Sequence, residues 1–211
     1  MYVDKSIREY LTLVESGEPF PGGGSVSALV ASLGASLSLM TSNLSFDKNY
    51  FKKLDAEIQE KVKENHRIIQ DSIKKLNQYV DEDAEGFAEV IETYEDKSFE
   101  NQTEKKDELD KKYKQALTAP LKCSRDCVNI LRAQAVIVEY GNEETITDVG
   151  VGVVLVYAAL EGSLMSVKIN LKSIDDEKYT SKIKKETNDL CHEATSIKNK
   201  LRDKVDHILG N

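Results

Sequence analysis

The sequence predicts an all-α protein, an antiparallel bundle of five to seven long helices in one domain spanning residues 1–211. Three observations predict it. Apolar residues recur at steps of three and four along most of the chain, which lays them on one face of a helix. There are only three Pro and eleven Gly in 211 residues, so little interrupts such helices. Alternation of the strand type is missing. The β-branched run Val151–Val156 would suit a strand by itself, but it continues into Ala158 and Ala159, and that length favours a helix.

Asp4-Lys5-Ser6 reads as the start of a short helix from Ile7 to about Glu15, with Ile7, Tyr10, Leu11 and Val14 as its apolar face. Gly17 stops it, and Pro19 and Pro21 keep the next stretch extended. Ser25 stands where an N-cap belongs, ahead of a helix to Asn43. Its Ser, Ala and Gly content allows close backbone approach and places it near the middle of the bundle.

From Asn49 to Tyr94 runs one long pattern, able to bend or break once: Phe51, Leu54, Ile58, Val62, Ile69, Ile73, Leu76, Val80, Phe87, Val90 and Tyr94. Helix resumes near Thr103 and runs to Tyr140, with a kink expected at Pro120 and a stop at Gly141-Asn142. Thr147 or Asp148 caps the next helix, whose residues Val149–Val167 are apolar nearly all round, predicting the most buried helix. Asp175–Leu209 is the last, with Tyr179, Ile183, Leu190, Ala194, Ile197, Leu201, Val205 and Ile208 inward.

A net charge of −8 at pH 7 makes duplex nucleic acid and anionic membrane poor partners for the surface as a whole. Met1–Tyr10 carries charges and has no signal-peptide character. Ala28–Asn43 is uncharged, but its Ser and Gly fit close helix packing better than a lipid face. Three cysteines, an odd number, fit a reducing compartment, so a cytoplasmic location is expected. Cys123 and Cys127 fall on one helix face without a Cys-x-x-Cys pair, which reads as core and gives no metal site.

Pro21-Gly22-Gly23-Gly24-Ser25 joins the short first helix to the small-residue helix. It reads either as a plain flexible loop or as a turn that presents N–H groups and the positive end of a helix dipole to a ligand. The glycines match neither a P-loop nor a dinucleotide-binding fingerprint. In the long third pattern, the stripe through Ile73, Leu76 and Val80 lands next on Asp83, with Asp81 and Glu82 pointing elsewhere. A carboxylate on a core-facing position either finds donors or is pushed toward a higher pKa. Asp83 thus reads as a structural bridge between helices or as a general acid near neutral pH. Asn142 and Asp148 read as turn and cap residues. Asn170 reads as a buried polar group with an interhelical partner, and Lys168 and Lys172 beside it as a solvated face. His66 falls on the third stripe as a core or interface histidine.

Taken together, these residues resemble the cyclodeaminase family of folate metabolism, which comprises formiminotetrahydrofolate cyclodeaminases and related methenyltetrahydrofolate cyclohydrolases. The matching pieces are Pro21–Ser25 before a small-residue helix, Asp81-Glu82-Asp83-Ala84-Glu85-Gly86-Phe87, Pro120 within a helix, Gly141-Asn142, Thr147-Asp148, and Val167-Lys168-Ile169-Asn170-Leu171. They stand in the family's order and span nearly the whole chain. The chain departs from the pattern at Gly86, where Ala is usual, at Thr147, where Ser is common, and in the highly charged Glu95–Lys112, where an Arg near Lys111 or Lys112 is missing.

The resemblance implies a helical homodimer with a folate cleft walled by the Gly-rich loop, and it implies that Asp83 is the catalytic acid–base group, with Asp81 as the fallback. Substrate would be held by Pro21, Gly22, Gly23, Gly24, Ser25, Asn142, Asp148 and Asn170. No metal and no cofactor beyond the tetrahydrofolate substrate are implied. The expected reaction converts 5-formiminotetrahydrofolate to 5,10-methenyltetrahydrofolate with release of ammonia. A methenyltetrahydrofolate cyclohydrolase is the alternative, and a helical folate-binding or interaction module without turnover is a third.

Overall fold

In the computed structural model, which describes residues 1–210, the chain is all helical. Its helices are α1 (Ile7–Val14), α2 (Gly23–Phe46), the single turn α3 (Asn49–Lys52), α4 (Ala56–Glu95), α5 (Gln102–Ala116), α6 (Thr118–Tyr140), α7 (Ile146–Leu171) and α8 (Glu177–Ile208). One turn of 3₁₀ helix, Glu143–Thr145, leads into α7. Among the described residues, seven of these helices are eight residues or longer, in line with the bundle expected.

The centre is the pair α2 and α7, the most extensive packing in the molecule, with α4 on the other side of α2 and α6 on α7. Two glycines let the pair touch. A Cβ on Gly34 would stand 2.7 Å from the Gly152 carbonyl oxygen, and one on Gly152 would stand 2.6 Å from that of Gly34, so neither position takes a side chain without the helices parting. Ala28, Ala31 and Ala35 of α2 and Val149, Val153, Val156 and Leu160 of α7 are buried around this crossing. Ile69, Leu76 and Val80 of α4 and Ile130, Leu131 and Ile137 of α6 close the same core, each large side chain contributing about 1.5–3 kcal/mol of burial. A smaller cluster, Leu117, Leu121, Val167, Leu171, Ile174 and Ile183, holds the α8 start to the ends of α5 and α7.

The long third pattern does break once. It divides into α3 and α4 at Lys53–Asp55. At Pro120 the structure has a break rather than the expected kink. α5 ends at Ala116 and α6 begins at Thr118. Pro120 therefore lies in the first turn of a helix, where its missing N–H leaves no hydrogen bond unmade.

Other expectations need correction. Ser6, with Glu9, forms a capping box on α1, yet Ile7 is 81% and Leu11 59% exposed. Only Tyr10 of the predicted apolar face is buried. α7 is not buried all round, because Val151, Val154, Met165 and Ile169 are exposed. α2 likewise exposes Leu33, Met40 and Leu44. Both helices are long and apolar enough to cross a membrane by length and composition, with mean hydropathies of 1.4 and 1.7, and about half of each apolar window is buried inside the bundle. The N-cap of α7 is Thr145, which makes no side-chain cap bond; Asn142 caps the 3₁₀ turn before it, its Oδ1 accepting from the Glu144 N–H. Thr147 and Asp148 already lie inside the first turn of α7. Cys123 and Cys127 are buried core residues, and His66 is half-buried with Nδ1 2.7 Å from Ser42 Oγ.

Candidate active site

The N-cap of α2 falls three residues earlier than expected. Gly22, in extended backbone, is its N-cap, so Ser25 lies within the first turn and cannot cap it. The first N–H groups of a helix lack intrahelical partners, and α2 has no acidic residue of its own in that turn. The partner arrives from α4: the Ser25 N–H donates to Oδ2 of Asp83 at 2.9 Å. Gly24 makes this approach feasible, since a Cβ there would overlap the Asp83 carboxylate. The Gly-rich stretch is required here for clearance more than for unusual dihedral angles.

Burial pushes the Asp83 carboxyl up from 3.8 to about 6, and the Ser25 N–H pulls against that rise. Burial disfavours the charged form, while the N–H and the positive end of the α2 dipole favour it. Burial prevails, and the group is left able to hold or release a proton near neutral pH.

Asp83 forms part of the wall of a cleft of about 190 Å³. The Pro19–Gly24 loop supplies Phe20 and Gly22–Gly24, α4 supplies Ala84 and Phe87, the end of α5 supplies Ala116, and the last turns of α7 supply Ser166, Ile169 and Asn170. Among the described lining residues Asp83 alone carries an ionisable side chain. The volume is below the roughly 300–1,000 Å³ of sites that enclose a drug-sized ligand, so the cleft has room for only one end of a longer molecule. The Asn170 amide donates to the Ser166 carbonyl at 3.0 Å, which leaves its side-chain oxygen and second N–H for other partners. Phe87, predicted inward, is 38% exposed because it stands at this cleft.

The structure thus gathers Gly22, Gly23, Gly24, Asp83 and Asn170 around one cleft, with Ser25 bonded to Asp83 and Pro21 buried just before. It does not bring Asn142 and Asp148 there. The Asn142 N–H donates to Ser45 Oγ at 2.8 Å, and Ser45 lies near the far end of α2 from Gly24. At 1.5 Å per residue the separation is roughly 30 Å. Asp148 is as far from Asn170 along α7. Asn142 instead borders a separate cavity of about 450 Å³ with Lys48, Tyr50, Leu54 and Glu139–Glu144. Asp81, expected to point away from the core, is 6% exposed and accepts the Tyr2 N–H. It does not line the cleft. Sequence reading missed Phe20, Ala116 and Ser166; only Ser166, one helical turn before Asn170, carried a signal.

Comparison with known proteins fits this architecture. Residues 6–189 match the family model described as formiminotransferase-cyclodeaminase. A methenyltetrahydrofolate cyclohydrolase of Methylorubrum extorquens is 26% identical over 204 residues, covering 96% of each chain. The formimidoyltransferase-cyclodeaminase of Dictyostelium discoideum is 31% identical over 98% of this chain, and that of Mus musculus 29% over 91%. The chain spans only about a third of these two relatives, 36% and 35% of their length. The crystal structure of formiminotetrahydrofolate cyclodeaminase from Thermotoga maritima superposes with a TM-score of 0.80 at 23% identity, covering 98% of this chain and 96% of that one. The fold is therefore shared with that enzyme, and the chain belongs to the formiminotransferase-cyclodeaminase family, through its cyclodeaminase domain.

Proposed function

We propose that this chain converts 5-formiminotetrahydrofolate to 5,10-methenyltetrahydrofolate with release of ammonia, Asp83 serving as the acid–base group. One observation carries the reading: in a chain of this family, a carboxyl raised to about 6 forms part of the wall of a cleft with an otherwise un-ionised lining. The formimino nitrogen of the substrate enters protonated; the N10 lone pair attacks the formimino carbon, forming the C–N10 bond, and the C=N π pair moves onto that nitrogen, making it an amino group. Ionised Asp83 takes the N10 proton and then delivers it to the amino nitrogen of the tetrahedral intermediate. The C–N bond to that nitrogen breaks, ammonia leaves, and the methenyl bridge remains. A group near neutrality suits both halves, since it must gain and lose one proton per turnover. The protein also holds N10 against the carbon, an orientation task assigned here to Gly22–Ser25 and Asn170.

The alternative reaction is hydrolysis of the methenyl bridge, with water as nucleophile and the same carboxyl as base. The cyclohydrolase relative matched over nearly its full length favours it. Each folate supplied separately separates the two, with the methenyl chromophore as the signal. Chromophore appearing from the formimino compound with ammonia supports the first reaction. Chromophore lost from the methenyl compound, without activity on the formimino one, supports the second. Silence with both substrates leaves a binding module.

The reading includes a homodimer. Its support is the apolar outer face of α2 and α7, where Leu33 and Val154 are each 54% and Met165 67% exposed. A two-fold axis perpendicular to α2 would set these helices antiparallel across the interface. The Asn142 and Asp148 end of one copy would then lie beside the Asp83 end of the other.

A further inference from the structure

Asp83 meets α2 through Ser25, and Ser25 is held in turn by a third helix. The hydroxyl of Tyr10 lies 2.9 Å from Ser25 Oγ, and that Oγ donates to the Val80 carbonyl at 2.7 Å. Serine has one hydroxyl proton. With that proton on Val80, the proton between Tyr10 and Ser25 belongs to Tyr10. The bonds therefore run in one direction, from Tyr10 to Ser25 and from Ser25 onto α4 at two points three residues apart, the Val80 carbonyl and the Asp83 carboxylate.

α1 has little else to hold it. Its other apolar residues are half-buried or exposed, and Tyr10 is its one buried residue. The chain just before α1 is tied to the same turn of α4, where the Tyr2 N–H donates to Oδ1 of Asp81. The N-terminal segment thus straddles the turn that carries Asp83. We propose that Tyr10 is a positioning residue, whose hydroxyl fixes Ser25 and with it the Gly24–Ser25 turn against the Asp83 carboxylate. Its service to turnover rests on the acid–base reading of Asp83; the clamp itself rests on the hydrogen bonds.

The titratable groups around this corner are few. Tyr10 comes from α1, Tyr2 from the segment before it, and Asp81 from α4 itself. α2 carries no charged residue, and α5 and α7 line the cleft with Ala116, Ser166, Ile169 and Asn170. Burial holds the Tyr10 phenol above its ordinary value, so it is a neutral donor throughout the working range. Removing it loosens the N–H bond that favours ionised Asp83.

The test is the carboxyl titration of Asp83 by NMR in the 13C-Asp-labelled protein, assigned by the signal that Asp83→Asn removes. Tyr10→Phe is expected to move that titration to higher pH and to lower kcat roughly tenfold, with KM changed much less. Ser25→Ala should move it in the same direction, and Tyr10→Phe should add nothing in that background, as expected of two groups acting in series. A wild-type titration in Tyr10→Phe, or shifts that add in the double variant, overturns the proposal. The titration needs no substrate. If it shifts while Asp83→Asn turns over normally, the acid–base reading fails and the clamp stands. If Asp83→Asn is inactive and Tyr10→Phe does not shift, the clamp fails and the reading stands.

Discussion

Gly24 and Asp83 occupy one space. A Cβ built on Gly24 would lie 2.6 Å from Oδ2 of Asp83 and nearer still to its Oδ1. The obstructing atoms belong to a side chain, so Gly24→Ala is expected to rotate the carboxylate away and leave the backbone in place. The Ser25 N–H then loses its acceptor. Turnover should fall by about two orders of magnitude, in the range of a displaced acid–base group, while stability changes by no more than about 1 kcal/mol. Steady-state kinetics and urea denaturation check the two parts. A variant as active as wild type would show that the carboxylate is not needed at that position.

Asp83→Asn separates chemistry from stability. On the acid–base reading it removes most turnover, roughly 10²–10⁴-fold. Its effect on folding has the opposite sign. The folded-state pKa lies above the unfolded value, so the wild-type contribution is fully present below about pH 4 and is lost as pH rises through about 6. Asn carries no such proton. The variant should therefore gain on wild type across that window and keep the gain at pH 7, with a ceiling of about 3 kcal/mol. Denaturation midpoints of both proteins from pH 4 to 8 measure it. Parallel curves would mean that burial does not perturb this carboxyl.

The same carboxyl sets the acidic limb of the pH profile. The first step needs ionised Asp83, so kcat/KM should rise with pH through about 6 and level above it. The limb should be absent from whatever residual rate Asp83→Asn retains. Initial rates of chromophore formation in constant-ionic-strength buffers test this. A limb centred near 4 would assign the proton to an ordinary exposed carboxylate.

Gly86 tests the departure from the family's usual Ala. A Cβ there would meet the Ala116 Cα at 3.2 Å, so the glycine lets α5 lie close on α4 beside the cleft. Gly86→Ala gains up to about 1 kcal/mol in helix propensity but must shift Ala116 by a few tenths of an ångström. The expected result is near-neutral stability with a raised KM, since Ala116 lines the cleft. A stabilised protein with unchanged KM would show that α5 yields without disturbing the site.

Asp83 was legible in the sequence because it continues the helical stripe through Leu76 and Val80, and a stripe position is fixed by local geometry alone. The end of α2 was less so. Local rules gave Ser25 the cap, but the first-turn N–H finds its acceptor on Asp83, 58 residues away in sequence. Pro120 suited both a kink and a helix start, and only the packing of Leu117 and Leu121 into the second cluster decides between them. The exposed sides of α2 and α7 read as core because composition records apolarity and not what covers it. Asn142 and Asp148 follow in motif order, yet order along a chain does not say which end of a bundle a motif reaches.

That last separation gives the strongest test of the proposed dimer. If Asp148 serves the site from a second copy, Asp83→Asn and Asp148→Ala chains are each inactive alone. Mixed by unfolding and refolding together, they form heterodimers with one site carrying both lesions and one carrying neither. Half the dimers are mixed at equal amounts, so recovery should approach ~25% of wild-type activity, the statistical value for an isologous pair. Asp148→Ala suits this better than a change at Asn142, because Asn142 caps the 3₁₀ turn that leads into α7 and its loss would cost about 1 kcal/mol of stability. An active Asp148→Ala homodimer removes that residue from the site. Two inactive variants that recover nothing on mixing, despite forming dimers by light scattering, place both groups in service of one chain's own fold.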